Sequence, residues 1–395
     1  LFRSNFLAGD FTVTHDCKAA INDISEICRV LETISFTELF SNLSVWDPYS
    51  NCGRSYFLYF YPLYYMFSMV NCYLSPIQLD MISLFNILTL NQVIGFSTGM
   101  CLISLIIVRN NYASLFIFVS CLFSNLLTTS MIQNSPLLGL LYFAYLVFFV
   151  LLWFFTARAW AYFMAVILLG LCLFAYLPSI IVYPLGIFLM FYGFARYGGN
   201  GFIQRLISIR PKIRVVLLSL IVFAASISLF AHQFFEMREL VSPARGGDPI
   251  GVKTDFAKVK GLSDEIKGHS ALISDFLTFS VDTPFSVANH VWHYAGPFVA
   301  CFAVIGLFAG CFSNKRKIVI ALFFTSLILV IISLGYRSPL FPLLNSIPIL
   351  NTLRHYMFFT SYVFFFITLL SAIGFSLWMK AISTHSNQLE HLLVV

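Results

Sequence analysis

Charge is what this chain has least of: 10% of its 395 residues are Asp, Glu, Lys or Arg, against about a quarter in a soluble globular domain. So little charge cannot solvate a fold of this length, and most of the surface must face something other than water. The nine cysteines are scattered and form no C-x-x-C pair, which leaves no metal-type spacing to build on. No internal repeat of fixed period is present, which argues against an inverted-repeat transporter. No apolar stretch carries a central ionisable residue, Asp80 lying at the end of one, and ion-coupled carriers usually need such groups. A signal peptide and an initiator Met are also missing. The expectation is that a transmembrane helix precedes Leu1, or that the chain is a fragment.

What is present is apolar. Hydrophobic residues make up 59% and aromatics 17%, with a mean hydropathy of +0.87. Several runs exceed the 18 or so residues that cross a hydrocarbon core of about 30 Å. The 45 Phe are a lipid-facing and helix-packing load. The chain therefore reads as an all-α polytopic membrane protein. Spans fall at about Ile82–Val108, Ala113–Ile132, Leu137–Phe155, Trp160–Tyr176, Ile180–Phe194, Val215–Ala231, Ala295–Phe312, Ile318–Gly335 and Met357–Met379, about nine in all.

The net charge of +6 is a topology signal. Alternating those spans puts Arg109, Arg158, a basic loop from Arg196 to Arg214, the Lys315–Lys317 turn and Lys380 on one side, as the positive-inside rule requires of the cytoplasm. No basic surface is left over for nucleic acid. The other side receives residues 1–78, 233–294 and 336–356, with nearly all the acids and five of the eight histidines. The organisation is thus a first extracytoplasmic loop (1–78), transmembrane helices (79–232), a second outer loop (233–294) and a C-terminal transmembrane part (295–395). Within the first loop, Ile21, Ile24, Ile27, Cys28, Leu31 and Ile34 recur at helical spacing, predicting an interfacial amphipathic helix. Residues 57–73 are aromatic and suit the headgroup boundary. Cys17, Cys28, Cys52 and Cys72 leave room for one or two disulfides there, with no connectivity assignable.

Chemistry, if any, is therefore expected outside the cytoplasm. A carboxylate such as Asp10, held at the bilayer surface, can take a proton from an acceptor hydroxyl as a lipid-phosphate leaving group departs; an ordinary solvated acid is the bland alternative. His15 and Asp16 follow closely and could orient Asp10, bind acceptor hydroxyls or help hold a divalent cation. In VWDPYSNCG, Trp46 and Tyr49 offer flat faces for sugar C–H groups beside the polar Asp47, or else anchor the turn at the interface. Arg337, Arg354 and His355 flank the last span. A guanidinium there can grip a lipid-linked phosphate bidentately, or simply reach for headgroups. His290 and His293 bracket Trp292 and are weaker candidates.

The segments GDFTVTHD, WDPYSNCGRSYF, FYPLYYM and SPLFPLLNSIPILNTLRHYMFF, in this order around a polytopic body, resemble the YfhO-like bacterial membrane proteins of the GT-C class. The resemblance implies a GT-C fold and transfer of a sugar from a polyprenyl-phosphate donor to an envelope glycan, teichoic acid or lipid acceptor. It implies Asp10 as catalytic base, Trp46, Pro48, Tyr49 and Gly53 as the family's W-N-P-Y…G turn, and Arg354 near the donor phosphate. Asp47 stands where that pattern has Asn, and Arg54 and Ser55 follow the glycine. Two other classes stay open: a lipid-linked glycan flippase or transporter, and a surface polysaccharide polymerase or ligase. In each the protein is integral to the plasma or inner membrane.

Overall fold

The computed structural model describes residues 44–47, 54–57, 81–124, 135–175, 178–225, 296–347, 356 and 359–393. Apart from one pair of short strands these are helical, and the apolar runs account for it. Helix α1 (Met81–Val108) is unbroken until Arg109, whose backbone turns left-handed at φ 59° while its N–H still donates to the Leu105 carbonyl at 3.1 Å. Asn110 then starts α2 (Asn111–Leu122), its side chain accepting the Ala113 N–H at 3.1 Å as an N-cap. Two residues thus reverse the chain, and Ser114 Oγ donates to Ser104 Oγ across the buried seam at 3.2 Å. The same device follows α3 (Ser135–Thr156): Ala157 takes φ 54°, and α4 (Ala159–Ala175) runs back.

Helix α5 (Pro178–Ser208) corrects the expectation of a basic loop from Arg196. It breaks at Gly198 (φ 70°, ψ 169°) and then resumes as a second limb. That limb is pinned beneath α3. Arg205 Nη2 donates to the Phe154 carbonyl at 2.7 Å, Trp153 Nε1 donates to the Ile209 carbonyl at 3.2 Å, and the Phe202 ring stacks on Phe154. Helix α6 (Ile213–Ala225) follows.

The C-terminal part comprises α7 (Pro297–Cys311), α8 (Arg316–Ser333), a 3-10 turn (Gly335–Arg337), the short α9 (Phe341–Ser346) and α10 (Phe359–Leu393). Helix α10 continues past the expected end at Met379, whereas α2 stops at Leu122, short of the expected Ile132. Among the described residues, four helices are long and apolar enough to cross a membrane: Leu90–Val108, Gly139–Thr156, Arg316–Ser333 and Phe359–Thr384. The described body is therefore helical and of membrane type.

Lipid tails are as apolar as the helices, so burial from water cannot drive assembly inside a bilayer; close packing must do it. Helix α10 is the hub. Phe365 and Phe366 lie against Phe143 of α3 with centroids at 4.9 and 6.1 Å, and Phe375 stacks on Phe116 of α2 at 4.6 Å. Helices α7 and α10 meet backbone to backbone at Gly306 and Gly374. A β-carbon on Gly374 would collide with the Phe302 carbonyl oxygen and lie 2.6 Å from the Gly306 nitrogen. Gly306 and Gly310 form a G-x-x-x-G pair on α7, the pattern that lets helix backbones meet.

Candidate functional site

The basic turns gather at one end of the bundle. Lys315, in the turn before α8, donates from Nζ to the Ile107 carbonyl at the end of α1 (2.7 Å), and Lys317 Nζ donates to the Arg196 carbonyl at the end of the first α5 limb (3.1 Å). Arg196 is itself fixed: Nη1 donates to Tyr192 Oη at 3.0 Å, Nε to Tyr197 Oη at 3.1 Å, and its guanidinium carbon sits 4.9 Å from the Phe155 ring centre. Burial, and then the charges of Arg109 and Arg196, hold the Lys315 ammonium below its ordinary pKa. The sequence expectation that Arg109, the Arg196 segment and the Lys315 turn share one side agrees with these contacts.

Of the residues singled out for chemistry, Trp46, Asp47 and Arg337 fall within the described residues. Asp10, His15, Asp16, Tyr49, Arg354 and His355 lie outside them, as do His290, His293 and the amphipathic stretch from Ile21. Strands β1 (Ser44–Asp47) and β2 (Arg54–Phe57) pair antiparallel, with Trp46 opposite Ser55 and Asp47 opposite Arg54. Asp47 and Arg54, two positions at which the turn differs from the family pattern, are therefore partners in register.

Arg337 lies at the far end of α8 from the basic cluster, since 18 helical residues rise about 27 Å. It is exposed and closes the 3-10 turn, its N–H donating to the Leu334 carbonyl at 2.8 Å. That turn is braced. Gly335, at φ 41°, is so close to Tyr356 that an added β-carbon would sit 2.6 Å from the ring carbon Cγ, and Tyr356 is 1% exposed. The Ser338 N–H donates back to the Gly335 carbonyl at 2.9 Å, and Ser338 Oγ accepts the Leu340 N–H at 3.1 Å. The residue preceding Tyr356 in the sequence is His355, and before that Arg354.

Sequence reasoning missed the polar groups inside the bundle. Gln92 is 2% exposed with neither amide atom hydrogen-bonded, and the Ser97 hydroxyl is likewise buried without a partner. Nearby on α1, Phe96 lines a cavity of about 10 Å³ shared with Cys121 and Ser124 of the α2 end, Val299, Phe365 and Thr368. That is room for about one water, not for a sugar. A glutamine in an otherwise apolar run was the available signal. Among the described residues no three His, Cys, Asp or Glu side chains come together in a metal-type group. No protein-family model matches the chain, and comparison with curated proteins and with solved structures finds no match either.

Proposed function

We propose that the protein is an integral membrane glycosyltransferase of GT-C type, with about nine spans in the chain. It moves a sugar from a polyprenyl-phosphate donor to an envelope glycan, teichoic acid or lipid acceptor on the extracytoplasmic face. The observation that supports this reading is the braced turn carrying Arg337, at the end of α8 opposite the basic cluster. If the basic end is cytoplasmic, as charge bias in such proteins generally dictates, Arg337 reaches the outer boundary, where a lipid-linked phosphate sits.

In this reading Arg354 grips the donor phosphate and Arg337 adds a second contact, while His355 lines the same approach. Asp10 takes the proton from the acceptor hydroxyl as the sugar–phosphate bond breaks, and the phosphate leaves on the polyprenyl chain. His15 and Asp16 position the acceptor or a divalent cation. Trp46 and Tyr49, flanking Asp47 and Pro48, provide the platform for the sugar.

The test is transfer from radiolabelled polyprenyl-phosphate sugars in membranes carrying wild type, Asp10→Asn or Arg354→Ala. Losing a general base or a phosphate clamp costs about 10²–10⁴ in rate. Undiminished transfer by Asp10→Asn, at equal protein level in the membrane, would overturn the assignment. Loss on replacing His290 or His293 instead would indicate a polymerase or ligase.

A further inference from the structure

We propose that the basic end holds a phosphate-bearing headgroup of an anionic phospholipid, bound between the ends of α1 and the first α5 limb and the start of α8 by Arg109, Arg196, Lys315 and Lys317. The proposal does not depend on the glycosyl-transfer reading, because it concerns the opposite end of the bundle.

Three observations carry it. The hydrogen bonds from Lys315 to Ile107, two residues before Arg109, and from Lys317 to Arg196 bring cations at the ends of three helices together. Nothing in those helices answers their charge: the sequence has no Asp or Glu from Met81 to Phe235, nor from Thr283 to Leu389. The donors are also only partly used. Each lysine spends one N–H on a backbone carbonyl and keeps two, and Arg196 keeps three of its five after bonding Tyr192 and Tyr197. Clustered cations at a water–lipid boundary repel one another, and the burial and like charges acting on Lys315 express that cost. A phosphodiester removes it. Its oxygens accept several N–H groups at once, and its acyl chains enter the hydrocarbon alongside the exposed Phe194 and Phe324 side chains. The two tyrosines and the Phe155 ring hold the Arg196 guanidinium in place beforehand, so little side-chain freedom is lost on binding.

The test uses the whole chain in phosphatidylcholine nanodiscs doped with phosphatidylglycerol, with native mass spectrometry counting the phosphatidylglycerol retained. A variant with R109Q, R196Q, K315Q and K317Q is compared with R210Q/K212Q/R214Q, which removes charge from the neighbouring segment. At about fivefold per basic residue, the fourfold variant is expected to lose retention about a hundredfold or more, and the control to keep it. Equal loss in both, or none in either, overturns the site. Inorganic phosphate is titrated onto lipid-free protein in parallel. Binding of phosphate that only the fourfold variant loses, with lipid retention unchanged, would make the occupant a free anion and overturn the lipid assignment. Should the fourfold variant fail to fold, K317Q alone is read in the same way: about fivefold loss supports the site and no loss overturns it.

Discussion

Replacing Gly374 with alanine places a methyl group where α7 and α10 touch. The added carbon meets the Phe302 carbonyl oxygen and lies 2.6 Å from the Gly306 nitrogen, whereas a relaxed C···O contact is about 3.3 Å. Backbone cannot rotate out of the way as a side chain can, so the helices must part by about 1 Å. A gap of 0.5–1 Å forfeits about a quarter to a half of each atom pair's dispersion attraction. The loss falls on the face that buries Val299, Ala303, Gly306 and Gly310, and on the rings of Phe302 and Phe375, now 5.1 Å apart. We expect a destabilisation of about 2–3 kcal/mol. Thermal unfolding in detergent, followed by tryptophan emission, measures it, and Trp378 at 5.5 Å from Phe302 reports the crossing directly. Gly186→Ala is the control: nothing lies within 4 Å of its added carbon, and alanine there gains about 0.5–1 kcal/mol of helix propensity. Gly306→Ala combined with Gly374→Ala should cost less than the sum, because the first methyl already parts the helices. If Gly374→Ala melts with the wild type, the close crossing is refuted.

Two further outcomes follow from the basic end. Ala157→Gly relieves a left-handed residue at φ 54° and should stabilise by about 0.5–1 kcal/mol after the flexibility of glycine in the unfolded chain is subtracted, as read from denaturation midpoints in mixed micelles. Because the Lys315 pKa is lowered from 10.5, the unfolded chain binds that proton more tightly than the folded one. Stability should therefore rise with pH through the window below 10.5, and a pH series of melting temperatures should lose that slope in Lys315→Met.

Long apolar runs cut by a single cation made α1 and α3 legible, since Arg109 and Arg158 follow the last helical turns almost at once. Polarity misled elsewhere. The GGNG stretch after Arg196 reads as a loop, yet only Gly198 leaves the helix, and tertiary anchors at Phe154 and Ile209 hold the resumed limb. Beyond Met379 hydropathy ends but helix propensity does not, so α10 runs on to Leu393. The β1–β2 pairing was invisible because four-residue strands carry too little alternation to register. The Gly306–Gly374 contact of α7 with α10 was not read from the sequence, since two glycines 68 residues apart carry no local signal of meeting. For the candidate site, sequence placed Arg337 at a loop; the brace of Gly335 against Tyr356 depends on a contact across 21 residues of chain and has no local signature.

The two-residue reversals at Arg109–Asn110 and Ala157–Arg158 constrain how the chain can change at those points. Where helices are stitched back so tightly, an inserted residue disturbs two spans at once, and change there is confined to substitution. A reporter fused internally by an experimenter therefore belongs at some other connection than these two stitches.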